Sequence, residues 1–109
     1  VVRTIPRGDV WLVSLDPTVG SEIRKTRPCV IISPPEMHNN VRTVLVAPMT
    51  SGSKPAPGRI HVRFNDKDGF ILLEQIRAVD KSRLIKNLGI ITPAELSRTL
   101  RTLQDIFAE

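Results

Sequence analysis

The sequence contains no tyrosine, one tryptophan and three phenylalanines, so only 4% of its residues are aromatic. That scarcity argues against the stacking platform with which RRM and OB modules hold single strands. The one cysteine, Cys29, excludes an internal disulfide and a cysteine-cluster metal site, and it fits a reducing cytoplasm. There are two histidines, His38 and His61, neither with metal-ligand spacing to another donor, and no metal or other cofactor is expected. No apolar run approaches the ~20 residues that span a bilayer. The opening stretch VVRTIPRGDV lacks the plan of a secretory signal, so neither export nor membrane attachment is expected. The sequence begins at Val1 without Met, which suggests that residues precede it.

What is present is ordinary for a folded protein. The 109 residues are 40% hydrophobic and 25% charged, with a mean hydropathy of −0.06, which fits a single domain over 1–109. A domain this short buries about two-thirds of its unfolded surface, and oligomerisation would help it. Sixteen Lys and Arg against eleven Asp and Glu give +5 and a pI near 10.1. Such an excess points to a polyanion or an acidic partner, or serves solubility alone.

Short β-rich runs fill the first three-quarters. Val10–Leu15 ends at Asp16-Pro17, and the wholly apolar run from Cys29 to Ser33 stops at Pro34-Pro35. A similar run, Thr43–Ala47, is closed by Pro48. Arg59–Phe64 alternates, with Ile60, Val62 and Phe64 on one face and Arg59, His61 and Arg63 on the other. Ile71–Val79 and Leu88–Ile91 complete the set. A short helical turn is weakly signalled at Asp80–Leu84. Strands at this spacing predict a small antiparallel barrel or sandwich. Thr92-Pro93-Ala94-Glu95 then reads as a capping box, and Leu96, Leu100, Leu103, Ile106 and Phe107 fall on one face of a C-terminal amphipathic helix. Two stretches, Pro17–Thr26 and Met49–Gly58, read as connections, the second as a mobile one.

The sequence holds no phosphate-binding glycine loop and no nucleophile elbow. A two-histidine ribonuclease would need His38 and His61 to converge, whereas His38 is expected in a polar surface loop and His61 on an outer strand face. Gly20-Ser21-Glu22 followed by Arg27-Pro28 is more informative. Pro28 holds Arg27 extended at a loop-to-strand junction, where its guanidinium could brace a phosphate through two parallel hydrogen bonds. Glu22 could orient Arg27, and Thr50 offers a hydroxyl at the lip of the other loop. The plain alternative is an arginine–glutamate pair that pins a loop.

These motifs, taken in order, resemble the MazF/PemK/Kid toxins of bacterial toxin–antitoxin systems. The resemblance runs through Arg7-Gly8-Asp9-Val10-Trp11, Asp16-Pro17-Thr18-Val19-Gly20-Ser21-Glu22, Arg27-Pro28-Cys29-Val30-Ile31-Ile32, Ala47-Pro48-Met49-Thr50 and Leu72-Leu73-Glu74-Gln75-Ile76-Arg77. It implies a mainly β, SH3-like antiparallel barrel with a C-terminal helix, assembled as a homodimer. It also implies a metal-independent endoribonuclease that cuts single-stranded RNA through the ribose 2′-hydroxyl. The family's catalytic pair falls on Arg27 and Thr50, with Ser21 and Glu22 in support. Arg24, Lys25 and Lys54 on the flanking loops are expected to meet RNA phosphates. Arg59, His61 and Arg63 form a basic stripe that either extends the groove or is simply solvated. The expected partner is an antitoxin whose flexible acidic segment covers the basic groove, with DNA reached only through that complex. Two rivals share the fold: a CcdB-like gyrase poison and a non-catalytic SH3-like binding module. The first acts through a C-terminal tryptophan, whereas this chain ends Ile106-Phe107-Ala108-Glu109. Fold alone leaves the second open, but the presence of both Arg27 and Thr50 argues against it.

Overall fold

In the computed structural model, which describes residues 4–109, the unbroken apolar runs lie at the centre of one curled antiparallel sheet. The first three residues of the opening stretch lie outside the described residues. The strands are β1 (Asp9–Ser14), β2 (Thr26–Ile31), β3 (Thr43–Thr50), β4 (Arg59–Phe64), β5 (Lys67–Leu72), β6 (Arg77–Asp80) and β7 (Leu84–Ile90). They are hydrogen-bonded in the order β4-β5-β3-β2-β1-β7, with β6 on β3. One turn of helix, α1 (Pro35–His38), follows β2, and α2 (Pro93–Phe107) ends the chain. No helix among the described residues is long and apolar enough to cross a membrane.

The sheet is apolar on both faces, which is why its central strands do not alternate. Val30 and Ile32 face one cluster with Ile60, Val62, Ile71 and Leu103, while Cys29 and Ile31 face another with Val13, Val46 and Val79. Burial pushes the Cys29 thiol up to about 12, offset in part by the Arg77 charge, so it stays protonated and inert at neutral pH.

Helix α2 covers the first face with Leu96, Leu100 and Leu103. The stripe was expected to run further, but Ile106 and Phe107 are 48% and 74% exposed, Ile106 lying beside Gly58 just ahead of β4. The helix starts as the sequence predicts. Thr92 Oγ1 accepts from the Glu95 N–H at 3.1 Å, and Glu95 Oε1 accepts from the Thr92 N–H at 2.9 Å. Glu95 Oε2 also accepts from the Arg63 N–H at 3.0 Å, which ties the helix to β4. Burial works to raise the Glu95 carboxyl, but the hydrogen bonds from Thr92 and Arg63 and the charge of Arg98 hold it below the usual range. A carboxylate so depressed stabilises the fold above its unfolded pKa and loses that contribution as pH falls through the lowered folded value. Glu95→Ala should therefore cost about 2 kcal/mol at neutral pH. In urea titrations the gap to the unmodified protein should close in acid.

Several boundaries differ from the sequence reading. β3 continues through Pro48, which was expected to end it. Along one edge β3 pairs with β6 as far as Val46 and with β5 from Met49, so Ala47 and Pro48 fall in the gap where no ladder donor is needed. β5 begins at Lys67, ahead of Ile71, and a 3₁₀ turn at Leu73–Gln75 splits the expected Ile71–Val79 strand. The short turn signalled near Asp80 is a 3₁₀ turn at Lys81–Arg83, and β7 starts directly after it, at Leu84 rather than Leu88.

His38 is not a surface residue. It is 1% exposed, with Nδ1 2.7 Å from Ser33 Oγ and Nε2 2.8 Å from the Ile5 carbonyl oxygen. A carbonyl can only accept, so Nε2 carries the proton and Nδ1 accepts from Ser33. The residue is a strut between the chain's N-terminal segment and β3, since Ser33 Oγ also accepts from the Leu45 N–H. A two-histidine centre is thereby excluded, because His61 lies exposed on β4.

Candidate active site

Arg27 sits in β2 opposite Val13 of β1, with Pro28 next to it holding the backbone extended. Its Nε donates to the Arg24 carbonyl at 3.3 Å. The ion pairs among the described residues are Arg59–Glu74, His61–Asp68 and Arg63–Asp68, and none involves Arg27. Its two terminal amino groups are therefore available to a ligand. Thr50 is the last residue of β3 and pairs with Phe70 of β5. Its Oγ1 accepts from the Gly52 N–H at 3.2 Å, which leaves the hydroxyl proton free to be donated.

The register brings these two residues together. β2 and β3 pair Cys29 with Pro48, and extending that register by two residues sets Arg27 across from Thr50. Both line one cleft of about 280 Å³, whose walls include Pro28, Met49, Phe64 and Leu88. The cleft offers a fixed cation and a hydroxyl donor side by side, a pair suited to stabilising negative charge that grows on an oxygen. Thr50 pairs with Phe70, and the neighbouring Gly69 lets β5 approach the Thr50 backbone closely. A Cβ on Gly69 would lie 2.6 Å from the Thr50 carbonyl oxygen, which is backbone and cannot swing away. Gly69→Ala should therefore displace Thr50 and lower turnover more than substrate affinity, read as a fall in kcat with KM little changed.

Ser21 and Glu22 do not share that cleft. They line an adjoining cavity of about 530 Å³ with Arg59, Glu74, Gln75 and Arg77. Glu22 Oε1 accepts from the Val19 N–H at 2.6 Å, so it closes its own turn rather than orienting Arg27. The β1–β2 loop is anchored at both ends: Ile23 N–H donates to Gln75 Oε1 at 2.7 Å, and Leu15 N–H to the Lys25 carbonyl at 2.9 Å. Lys25 adopts a left-handed φ of +66°, and Arg24, Lys25 and Lys54 are exposed.

The basic stripe on β4 is largely neutralised. Arg59 donates from Nε and Nη2 to Glu74 Oε2 at 2.9 and 2.7 Å, while His61 and Arg63 both face Asp68. Sequence spacing shows the cations but not carboxylates that arrive from the next strand and turn. It also passes over Asn65, Lys67 and Asp68 on the cleft rim. An available signal was the dipeptide Asn65-Asp66, both residues at positive φ (49° and 62°), which forms a two-residue hairpin turn between β4 and β5.

The curled half-barrel with its terminal helix is the fold of the small β-barrel toxins. The crystal structure of MazF (Form-I) from Deinococcus radiodurans matches with a TM-score of 0.83 at 21% identity, over 95% of this chain and 96% of that one. An endoribonuclease in complex with its cognate antitoxin, from Mycobacterial species, matches at 0.77 and 20% identity, over 93% and 92%. In sequence, endoribonuclease MazF of Staphylococcus epidermidis is 41% identical over 98 residues, 84% of this chain and 82% of that protein. The PemK-like, MazF-like toxins of type II toxin–antitoxin systems match residues 6–107. The chain belongs to that family, and it is an endoribonuclease toxin of the MazF kind.

Proposed function

We propose that the chain cuts single-stranded RNA, messenger RNA included, at short sequences and without a metal ion. The ribose 2′-oxygen forms a bond to the adjacent phosphorus as the bond from phosphorus to the 5′-oxygen breaks. The products are a 2′,3′-cyclic phosphate and a 5′-hydroxyl. Arg27 and Thr50 stabilise the charge that builds on the phosphate oxygens. Arginine is a poor base at neutral pH, so water takes the 2′-proton and the Arg27 guanidinium faces the leaving oxygen, which is reprotonated from solvent. Ser21 and Glu22 support the substrate from the adjoining cavity. Arg24, Lys25 and Lys54 meet flanking phosphates, with Arg59 and Arg63 in a lesser role because carboxylates already face them.

The observation that carries this reading is that Arg27 and Thr50, far apart in the chain, line one cleft. The working unit is a homodimer in the cytoplasm, silenced by a cognate antitoxin whose flexible acidic segment covers the exposed cations; DNA is met only through that complex. The test is incubation of pure protein with a defined RNA in excess chelator, followed by analysis of the ends. Cleavage that persists and leaves a cyclic phosphate and a 5′-hydroxyl is expected. Loss of cutting in chelator, or 5′-phosphate ends, would overturn the reading.

A further inference from the structure

Arg27 and Thr50 account for a phosphate, but not for the rest of the cleft they share. Beside Ser51 and Gly69, its other walls are the apolar Val62, Phe64, Met49, Leu88 and Pro28, and its rim carries Asn65, Lys67 and Asp68. Apolar walls give an anion no hydrogen bond to replace its water. A flat, partly apolar group with polar edges suits them better.

The wall is also rigid. Phe64 and Lys67 pair across the β4–β5 hairpin, and the two residues between them form the positive-φ turn. The Phe64 ring is wedged against β7: a Cβ on Gly89 would lie 3.3 Å from its Cζ. A fixed aromatic ring of this kind is what a splayed-out base stacks on. At about 280 Å³ the space lies at the lower limit of small-ligand pockets, enough for one ring system beside a phosphate.

We infer that a base flanking the scissile phosphate lodges against Phe64 in this cleft, where Asn65 and Asp68 read its edge and favour a base bearing an exocyclic amino group over uracil. The inference rests on the RNA-cleaving function proposed above. The Asn65 side chain makes no hydrogen bond among the described residues, so its amide keeps both a donor and an acceptor for the base. Asp68 is exposed, held at 3.3 Å by His61 and at 3.2 Å by Arg63, with lone pairs left over. A carboxylate accepts from an amino group and repels the carbonyl oxygens that uracil presents instead.

The test uses short RNAs that share one cut site and differ only in the base on each side of it. The unmodified protein should cut uracil about tenfold to a hundredfold more slowly than the preferred amino-bearing base at one of the two flanking positions. Asp68→Asn should remove most of that gap. Asn65→Gly, which keeps the positive-φ turn and deletes the amide, should slow the preferred substrate and flatten the choice. Both positions are exposed, so the fold is retained. Equal cutting of uracil at both positions by the unmodified protein, or an unchanged profile in either variant, overturns the inference while leaving RNA cleavage in place. A protein that cuts no RNA at all overturns the function on which it rests.

Discussion

Arg27→Ala is expected to cut a susceptible RNA about a hundredfold to a thousandfold more slowly while staying folded. The rate loss follows from removing a preorganised cation from the point where phosphate charge develops. The fold should survive because Arg27 is half-buried, joins no ion pair, and gives up one 3.3 Å hydrogen bond to a carbonyl. Arg27→Lys should recover only part of the rate, since an ammonium keeps the charge but not the planar fork that meets two oxygens at once. Glu22→Gln is the informative companion. Glu22 lines the adjoining cavity and is held by the Val19 N–H, so its loss should cost less than tenfold. Single-turnover rates with circular dichroism on the same samples check all three. An Arg27→Ala protein that cuts at full speed removes the guanidinium from the mechanism. A hundredfold loss in Glu22→Gln would make that carboxylate the base.

The second large effect lies in the substrate. Replacing the one ribose on the 5′ side of the cut with deoxyribose should abolish cleavage, because the attacking oxygen is gone. Affinity should change little if, as proposed, the exposed Arg24, Lys25 and Lys54 hold the strand through its phosphates rather than its sugars. Binding by fluorescence anisotropy beside end-labelled cleavage separates the two. Cutting at the deoxy position would point to water as the nucleophile. In the same binding assay, affinity should fall with added salt, as phosphate contacts release counterions.

Much of this architecture was legible in local pattern. The Ile60, Val62, Phe64 alternation, the Cys29–Ser33 run and the Thr92-to-Glu95 box each specify an element through nearest-neighbour chemistry, and each element formed, the second as a strand shifted to Thr26–Ile31. Where the reading slipped, the deciding partner was far along the chain. Pro48 looks like a strand end until β3 is seen to change partners beside it. His38 looks solvated until Ile5 and Ser33 close around its ring. Arg59 reads as one cation of an unpaired stripe until Glu74 arrives from the turn after β5. The candidate site shows the same division. Arg27 and Thr50 were picked out by motif and turned out to share a cleft, yet Ser21 and Glu22, adjacent to that motif in sequence, line a different one. Phe64 was read only as part of an apolar strand face and Asp68 was passed over, because spacing alone does not mark them as neighbours of Arg27.

The first strand is held between its sequence neighbour and the last strand, since β1 lies between β2 and β7. Leu88 of β7 furnishes part of the Arg27 cleft, and Gly89 backs the ring of Phe64. Contacts between such distant segments are slow to form, so the cleft gains its last wall only when β7 docks on β1, and a partly folded chain lacks it.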